Sequence, residues 1–291
     1  MNAMVEFEPR ARRVALPARG GEMAVLDFGP PERPVDVVFS HANGFNARTY
    51  RTILSPLAGA LRILAVDMRG HGASTLPTVI EGRDGWAEFR DDLLALLEAE
   101  TSGSVVLAGH SMGGTSSLLA AAARPERVRA LALFDPVIFG LGIEHSAMTD
   151  NPLADGALRR RATFPSKAAA VEAYTDRGAF RTWSPAQLAD YVEAGFRETE
   201  SGEVTLTCTP AWESSNFRTH NYDPWAAFRA TRCPVRILRA EIGSTARLDG
   251  GQAELEATGR FRIDVIPGAS HFLPMERPDL VRETLLAVTA G

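Results

Sequence analysis

A serine between two glycines, in the pentapeptide GHSMG at residues 109–113, has the surroundings of a nucleophile. A short apolar run leads into the pentapeptide, and helix-forming residues follow it from Thr115 onward. A sharp turn between a strand and a helix needs small residues on both sides, which explains a glycine two positions before and two positions after Ser111. Such a turn places the Ser111 hydroxyl at a helix N-terminus, where free backbone N–H groups can face an oxyanion. The pattern therefore predicts nucleophilic chemistry at Ser111.

A serine hydroxyl is a weak nucleophile at neutral pH and needs a base within hydrogen-bonding distance, which a third group must orient. Of the six histidines, His271 follows the last predicted strand and precedes the last predicted helix. In a parallel sheet that position lies at the same carboxyl edge as Ser111. The other five are His110 inside the pentapeptide, His41 and His71 in loops after earlier strands, and His145 and His220 in the middle of the chain. We therefore predict that His271 is the base.

The elements that must position these residues alternate along the chain. Short apolar runs typical of strands buried on both faces occur at residues 35–40, 63–67, 105–109, 130–134, 235–240 and 261–266. A hairpin is predicted before them, at residues 13–29. Helices are predicted between and after them, at residues 87–99, 115–123 and 278–289. The alternation predicts an α/β fold whose mostly parallel central sheet of about eight strands is flanked by helices.

The alternation stops between about residues 139 and 222, where helical patterns remain and strand patterns do not. Ser184 begins a capping-box pattern with Gln187, and apolar residues recur after it at helical spacing. A segment of about 80 residues is far longer than an ordinary crossover connection. We therefore predict an α/β core from residues 1–138 and 223–291, with a helical lid, or cap, over residues 139–222.

The composition is that of an ordinary globular protein, with 45% hydrophobic and 23% charged residues. The formal net charge of −5 provides no general attraction to phosphate backbones, so no nucleic-acid partner is expected. The first twenty residues lack the apolar core of a signal peptide, and no later run reaches the roughly 18 to 20 apolar residues of a membrane span. We expect a soluble cytoplasmic protein without membrane association, with Cys208 and Cys233 reduced.

Four pieces of the chain together resemble the α/β-hydrolase family, and the resemblance covers nearly the whole length. They are residues 40–45 (SHANGF), 67–74 (DMRGHGAS), 109–113 (GHSMG) and 268–276 (GASHFLPME). The resemblance implies a triad in the order serine, acid, histidine, with a lid inserted after the strand at residues 130–134. It also implies two oxyanion donors: the backbone N–H of Met112, directly after the nucleophile, and that of Asn43, in the loop after the first central strand.

The acid of the triad has two candidates. Members of the family commonly place it a few residues after the strand matching residues 235–240, but this chain has Gly243 at that position. Some relatives place the acid at the end of the preceding strand, where this chain has Asp135, at the same edge of the sheet as the serine and the histidine. Asp135 is the favoured acid. Glu241 stays an alternative, because its longer side chain could compensate for a displacement of two residues.

A triad of Ser111, Asp135 and His271 predicts acyl transfer to water, most simply hydrolysis of a small-molecule carboxylic ester through an acyl-enzyme, with no cofactor and no metal. Aspartate-dependent dehalogenation and epoxide opening are disfavoured, because both need a carboxylate where this chain has Ser111. Carbon–carbon bond hydrolysis and cofactor-free perhydrolysis use the same triad and remain alternatives. A small-ligand receptor or binding protein on the same fold is an alternative of a different class.

Overall fold

The structure is a computed structural model that describes residues 8–141 and 151–291. Within these ranges the strands are β1 (Arg10–Leu16), β2 (Gly21–Phe28), β3 (Val37–Ser40), β4 (Ile63–Val66), β5 (Val105–His110), β6 (Val128–Phe134), β7 (Thr163–Phe164), β8 (Phe196–Glu198), β9 (Val204–Leu206), β10 (Val235–Ile242) and β11 (Phe261–Ser270). Eight of them form one sheet in the order β1-β2-β4-β3-β5-β6-β10-β11. The β1–β2 and β2–β4 pairs are antiparallel, and the remaining pairs are parallel. The predicted α/β fold with a mostly parallel central sheet is confirmed.

The central strands are apolar throughout because the sheet is covered on both faces. Every residue of β3, β4 and β5 is buried. Successive side chains of a strand point to opposite faces. In β5, Val105 and Leu107 accordingly pack in one apolar core, while Val106 and Ala108 pack in a second core on the other face. Double burial of this kind removes the alternation of apolar and polar residues that marks a half-exposed strand.

The helices that cover the sheet follow its strands along the chain. The α-helices of the described ranges are α1 (Arg51–Leu54), α2 (Ala87–Glu100), α3 (Met112–Ala123), α4 (Pro152–Leu158), α5 (Lys167–Tyr174), α6 (Pro185–Gly195), α7 (Pro210–Arg218), α8 (Pro224–Ala230), α9 (Gln252–Ala257), α10 (Leu273–Glu276) and α11 (Pro278–Ala290). Helices α2, α3 and α8 pack in the first core, and α1 and α11 pack in the second. Helix α3 starts three residues earlier than predicted, because it begins directly after Ser111.

Between β6 and α8 the chain leaves the sheet, and we call residues 151–222 the insertion. It contains α4 to α7 and a small antiparallel sheet in the order β7-β9-β8. The expectation of helices alone is therefore wrong for this segment. The three strands are two or three residues long, which is too short to produce a visible alternation in the sequence. Residues 142–150, which include His145 and part of the predicted lid, lie outside the described residues.

Local features of the insertion follow the sequence closely at α6. Ser184 accepts a hydrogen bond from the Gln187 backbone N–H, and the Gln187 side chain accepts one from the Ser184 backbone N–H, so the predicted capping box is present.

Cys208 and Cys233 are both buried and free of disulfides. Burial raises the pKa of both thiols, so both are poor nucleophiles at neutral pH. No helix in the described ranges combines the length and the apolar character that crossing a bilayer needs.

Candidate active site

Ser111 lies at the turn between β5 and α3, in a backbone conformation that few non-glycine residues adopt. Its φ is 55° and its ψ is −121°. The Ser111 backbone N–H donates to the carbonyl oxygen of Phe134 at 3.0 Å, which ties the turn to the end of the neighbouring strand β6. Strained conformations of this kind persist only where the surrounding structure fixes them, and they concentrate at functional sites.

The two glycines of the pentapeptide are there because other backbone passes close to their Cα atoms. A Cβ atom on Gly113 would lie 2.3 Å from the carbonyl oxygen of Ser40, at the end of β3. A Cβ atom on Gly109 would lie 2.5 Å from the carbonyl carbon of Gly113. Both contacts are with backbone, which cannot rotate out of the way as a side chain can. The turn at Ser111 therefore requires glycine on both sides.

Replacing Gly113 by alanine is expected to lower the free energy of unfolding by about 3 kcal/mol, the upper end of the usual cost of overpacking a core. The matched control is Gly156→Ala in α4, where nothing lies within 4 Å of the added Cβ atom. There the substitution is expected to raise stability by about 0.5–1 kcal/mol, because alanine has the higher helix propensity. Urea unfolding at pH 7 measures both variants. Equal stability of the two would contradict the close approach at Gly113.

Three side chains from three strand ends form one hydrogen-bonded line. His271, directly after β11, has Nε2 at 3.1 Å from Oγ of Ser111. Its other ring nitrogen, Nδ1, lies 2.6 Å from Oδ2 of Asp135, which directly follows β6. A carboxylate oxygen can only accept, so Nδ1 carries the proton and Nε2 presents its lone pair to the serine hydroxyl. The structure thus brings together all three residues that the sequence singled out as nucleophile, base and favoured acid.

Asp135 is held by donors on both carboxylate oxygens. Oδ1 accepts from the backbone N–H of Ala240 at 2.9 Å and from Oγ of Ser244 at 2.5 Å. Oδ2 accepts from the backbone N–H of Thr245 at 3.0 Å and from His271. Burial raises the pKa of the Asp135 carboxyl, but the hydrogen bonds from His271, Ser244 and Ala240 outweigh it and lower the pKa below its ordinary value. Asp135 is therefore ionised at neutral pH and points its charge at His271.

Ser244 and Thr245 are functional residues that the sequence reasoning missed. They directly follow Gly243, the position where the acid was expected and is absent. Instead of a carboxylate, the loop after β10 supplies neutral donors to the carboxylate that β6 provides. The sequence signal that could have identified them is a serine and a threonine directly after the glycine that occupies the usual position of the acid.

The alternative acid, Glu241, lies elsewhere. Its side chain is exposed, and its Oε2 accepts a hydrogen bond from the backbone N–H of Gly268 at 2.8 Å. This bond ties the end of β10 to β11 three residues before His271. The structure therefore does not bring Glu241 to the imidazole of His271.

The loop after β3 has a free backbone donor at the predicted position among the described residues. The N–H of Ala42 donates to the Tyr50 hydroxyl at 3.2 Å, that of Gly44 donates to Nε2 of His71 at 3.0 Å, and that of Phe45 donates to the Ala42 carbonyl. Within residues 8–141 and 151–291, no hydrogen-bond acceptor is found for the N–H of Asn43. The same holds, in these ranges, for the N–H of Met112 at the start of α3. Both predicted oxyanion donors are thus available for a ligand.

The histidine inside the pentapeptide, His110, connects the serine turn with the loops on either side. Its Nε2 lies 2.8 Å from the carbonyl oxygen of His271, and its Nδ1 lies 2.7 Å from the Tyr50 hydroxyl. The carbonyl can only accept, so Nε2 carries the proton and Nδ1 accepts from Tyr50. Burial lowers the pKa of His110 to about 3, and repulsion from His271 when that ring is protonated acts in the same direction. His110 is therefore neutral and structural, which agrees with choosing His271 as the base.

Aromatic side chains cluster beside His271, and two of them, Trp183 and Tyr191, belong to the insertion. The Phe45 ring stacks on Phe272 with centroids 6.3 Å apart, and it meets Trp183 edge-on at 5.2 Å and Tyr191 edge-on at 5.7 Å. Such rings offer apolar contact and stacking to a bound molecule. In the part of the chain that the structure describes, no group of three or more His, Cys, Asp or Glu side chains could hold a metal ion.

Comparison with known proteins places this geometry in a family. The sequence profile of the alpha/beta hydrolase family matches residues 37–284, which is more than half of the chain. The chain is 29% identical over 262 residues to the 2-(acetamidomethylene)succinate hydrolase of Mesorhizobium japonicum, covering 87% of this chain and 86% of that protein. It is 34% identical over 119 residues to a lipase of Mycobacterium tuberculosis, covering 40% of this chain and 42% of that protein.

A solved structure extends the likeness to the fold. The crystal structure of E-2-(acetamidomethylene)succinate hydrolase superposes with a TM-score of 0.76 at 24% sequence identity, over 97% of this chain and 98% of that chain. The profile match alone spans the strands and turns that carry the serine, the acid and the histidine described above. The chain is therefore a hydrolase that belongs to the alpha/beta hydrolase family.

Proposed function

We propose that this protein hydrolyses a carboxylic ester of a small molecule through an acyl-enzyme on Ser111. The observation that carries the proposal is the line of hydrogen bonds from Ser111 Oγ through His271 to Asp135, at 3.1 Å and 2.6 Å. In this arrangement the base touches the nucleophile, and the acid orients the base, which is what a serine nucleophile needs at neutral pH.

The first half of the reaction acylates the serine. His271 accepts the hydroxyl proton through Nε2 as Ser111 Oγ attacks the ester carbonyl carbon. Negative charge develops on the carbonyl oxygen, and the N–H groups of Met112 and Asn43 donate to it. Asp135 stays ionised and stabilises the imidazolium of His271. The imidazolium then gives its proton to the leaving alcohol, and the acyl group stays on Ser111.

The second half repeats these steps with water. His271 removes a proton from a water molecule, the resulting oxygen attacks the acyl carbon, and the proton passes to Ser111 Oγ as the acid product leaves. In this scheme the protein's side chains and backbone N–H groups, together with water, supply every step.

We further propose that the insertion caps this site and sets the substrate class. Phe45, Trp183 and Phe272 would form an apolar wall for the acyl or alcohol part of the ester. The relative from Mesorhizobium japonicum carries the name of a dianionic substrate, a substituted succinate, which makes that compound a second candidate. However, the guanidinium of Arg160 already pairs at 2.9 Å with Glu213, whose side chain lies against Gly44 in the loop after β3. A neutral ester fits these residues better than two carboxylates do.

A turnover panel tests the proposal. It contains short and long p-nitrophenyl esters, 2-(acetamidomethylene)succinate and a β-diketone, with Ser111→Ala as the matched control. We expect wild type to cleave at least one ester far faster than the variant, and a fluorophosphonate probe to label wild type at Ser111 only. If wild type cleaves no ester faster than Ser111→Ala, the esterase proposal is wrong. Turnover of the β-diketone alone would move the activity to carbon–carbon bond hydrolysis.

A further inference from the structure

Two asparagines, 173 residues apart in the chain, join the insertion to the loop that holds the free backbone N–H of Asn43. Nδ2 of Asn216, in α7, donates to Oδ1 of Asn43 at 2.8 Å. Nδ2 of Asn43 in turn donates to the carbonyl oxygen of Glu213, one turn earlier in α7, at 3.0 Å. Both asparagine side chains are buried, and Asn216 is fully excluded from solvent. One helix of the insertion thus holds both ends of the Asn43 carboxamide.

The chemistry of the partners allows one orientation of this pair. The Glu213 carbonyl can only accept, so the nitrogen of the Asn43 carboxamide must face it. The oxygen of Asn43 then faces Asn216, which must present its own NH₂ group. Reversing either carboxamide would bring two acceptors together in a buried place. The position of the Asn43 side chain is therefore fixed by α7.

Helix α7 is itself anchored to the core and can serve as a rigid reference. The indole N–H of Trp212 donates to the carbonyl oxygen of Arg69 at 3.0 Å. The carbonyl oxygen of Asn216 accepts from the indole N–H of Trp86 at 3.1 Å. Both bonds are buried and join α7 to the sheet side of the molecule.

Neighbouring residues of the same loop also contact the insertion. The side-chain amide of Asn46 donates to the Tyr191 carbonyl at 3.0 Å, and the Tyr191 hydroxyl donates to the Gly44 carbonyl at 3.4 Å. Gly44 has a φ of 74°, and a Cβ atom there would lie 2.4 Å from Oε1 of Glu213. The backbone of this loop therefore lies directly against α6 and α7.

From these contacts we propose that Asn216 is a positioning residue that, through the side chain of Asn43, aims the Asn43 backbone N–H at the oxyanion. The inference rests on the proposed function, in which that N–H is an oxyanion donor. Its consequence is that the insertion is a fixed part of the catalytic machinery. A cover that opens and closes would break the Asn43 bonds in each cycle.

Asn216→Ala leaves Oδ1 of Asn43 buried without a donor. We expect the loop after β3 to relax, so that the Asn43 backbone N–H no longer points at the oxyanion. We expect kcat to fall about tenfold, which is less than the 10²–10³ lost when a whole oxyanion donor is removed. KM should stay within about twofold, because ground-state contacts are unchanged. Inhibition by an alkyl trifluoromethyl ketone, whose adduct with Ser111 carries an oxyanion, should weaken by the same factor as kcat/KM.

A double-mutant cycle separates positioning from a merely structural role. Asn43→Ala removes the carboxamide but keeps the backbone N–H. If Asn216 acts through Asn43, then Asn216→Ala has no further effect on kcat in the Asn43→Ala background. If Asn216 only supports the fold, the two effects multiply, and the proposal is overturned. Thermal unfolding of every variant checks that the protein is folded. If Asn216→Ala does not fold, Asn216→Leu takes its place.

Asn151→Ala is the matched control. Asn151 is also a buried asparagine bonded to α7, since its Nδ2 donates to the Phe217 carbonyl at 2.5 Å, while its Oδ1 caps α4. Its loss should lower stability and leave kcat unchanged. A wild-type kcat in Asn216→Ala, or an equal loss in Asn151→Ala, overturns this inference alone. Absence of both ester turnover and Ser111 labelling in wild type overturns the proposed function as well, so the two failures are distinguishable.

Discussion

Replacing Asp135 by asparagine is expected to lower kcat for the ester substrate by on the order of 10⁴. The carboxamide oxygen can still accept from Ala240 and Ser244. Its NH₂ group then faces Nδ1 of His271, and the hydrogen bond from the Thr245 N–H is lost. His271 must accept there and therefore carries its proton on Nε2. In that tautomer the imidazole has no lone pair for the proton of Ser111, so the base is lost while its position is kept.

The substitution should leave the fold intact, which makes the kinetic result interpretable. Asp135 has a φ of 42°, and asparagine is among the few residues that tolerate this left-handed region. The measurements are kcat and KM with the best ester, together with thermal unfolding. Glu241→Gln is the control: the new amide oxygen can still accept from Gly268, and kcat should stay within about twofold. A larger loss in Glu241→Gln than in Asp135→Asn would move the acid to Glu241.

Acidification from pH 6.5 toward pH 4 is expected to destabilise the protein, by on the order of 2 kcal/mol per pH unit near pH 5. Burial lowers the pKa of His71 to about 4 and of His110 to about 3, and it lowers the pKa of His41 well below its ordinary value. Near pH 5 all three are therefore largely neutral in the folded protein and largely protonated in the unfolded chain. Stability is therefore present above pH 6.5 and is lost as the pH falls.

Buried carboxyls act in the opposite direction and reduce the slope. Burial raises the pKa of Asp67 to about 6, so near pH 5 the folded state binds a proton that the unfolded chain does not. Burial also raises the pKa of Asp190, which adds to the same effect. The unfolded state then binds about two more protons than the folded state, and each is worth about 1.4 kcal/mol per pH unit.

Urea unfolding at pH 7, 6 and 5 measures this slope. His71→Asn is the matched variant, because it removes one of the three histidines that are protonated only on unfolding. We expect its slope near pH 5 to be shallower than that of wild type by about 1.4 kcal/mol per pH unit. A wild-type stability that does not change between pH 7 and pH 5, or that increases, would show that these histidines are not held neutral by the fold.

The sequence predicts those parts of the site that depend on local pattern. The central strands are apolar along their whole length because they are buried on both faces. The turn at Ser111 can be recognised because Gly109 and Gly113, two positions away on either side, have no room for a Cβ atom. His271 could be placed because the end of β11 lies at the same edge of the sheet. Asp135 could be favoured because Gly243 stands at the usual acid position and some relatives place the acid directly after the preceding strand, where this chain has Asp135.

The remaining parts depend on contacts between distant segments. Ser244 and Thr245 matter because their loop folds back over Asp135, more than 100 residues away in the chain. Asn216 lies in a helix whose local sequence gives no sign of a partner in the loop after β3. The strands β7 to β9 are held by pairing within the insertion and are too short for a periodic pattern. No window of sequence around any of these residues contains the information that fixes its role.

The bond between Asn43 and Asn216 also bears on how such proteins diverge. The insertion appears in the chain as a separable unit, which suggests that one version could be exchanged for another to obtain a new substrate. Because α7 holds the side chain of residue 43, a transplanted insertion must bring a donor that meets that carboxamide, or residue 43 must change with it. We expect successful chimeras to be those in which both residues come from the same parent, so that inheritance at these two distant positions is linked.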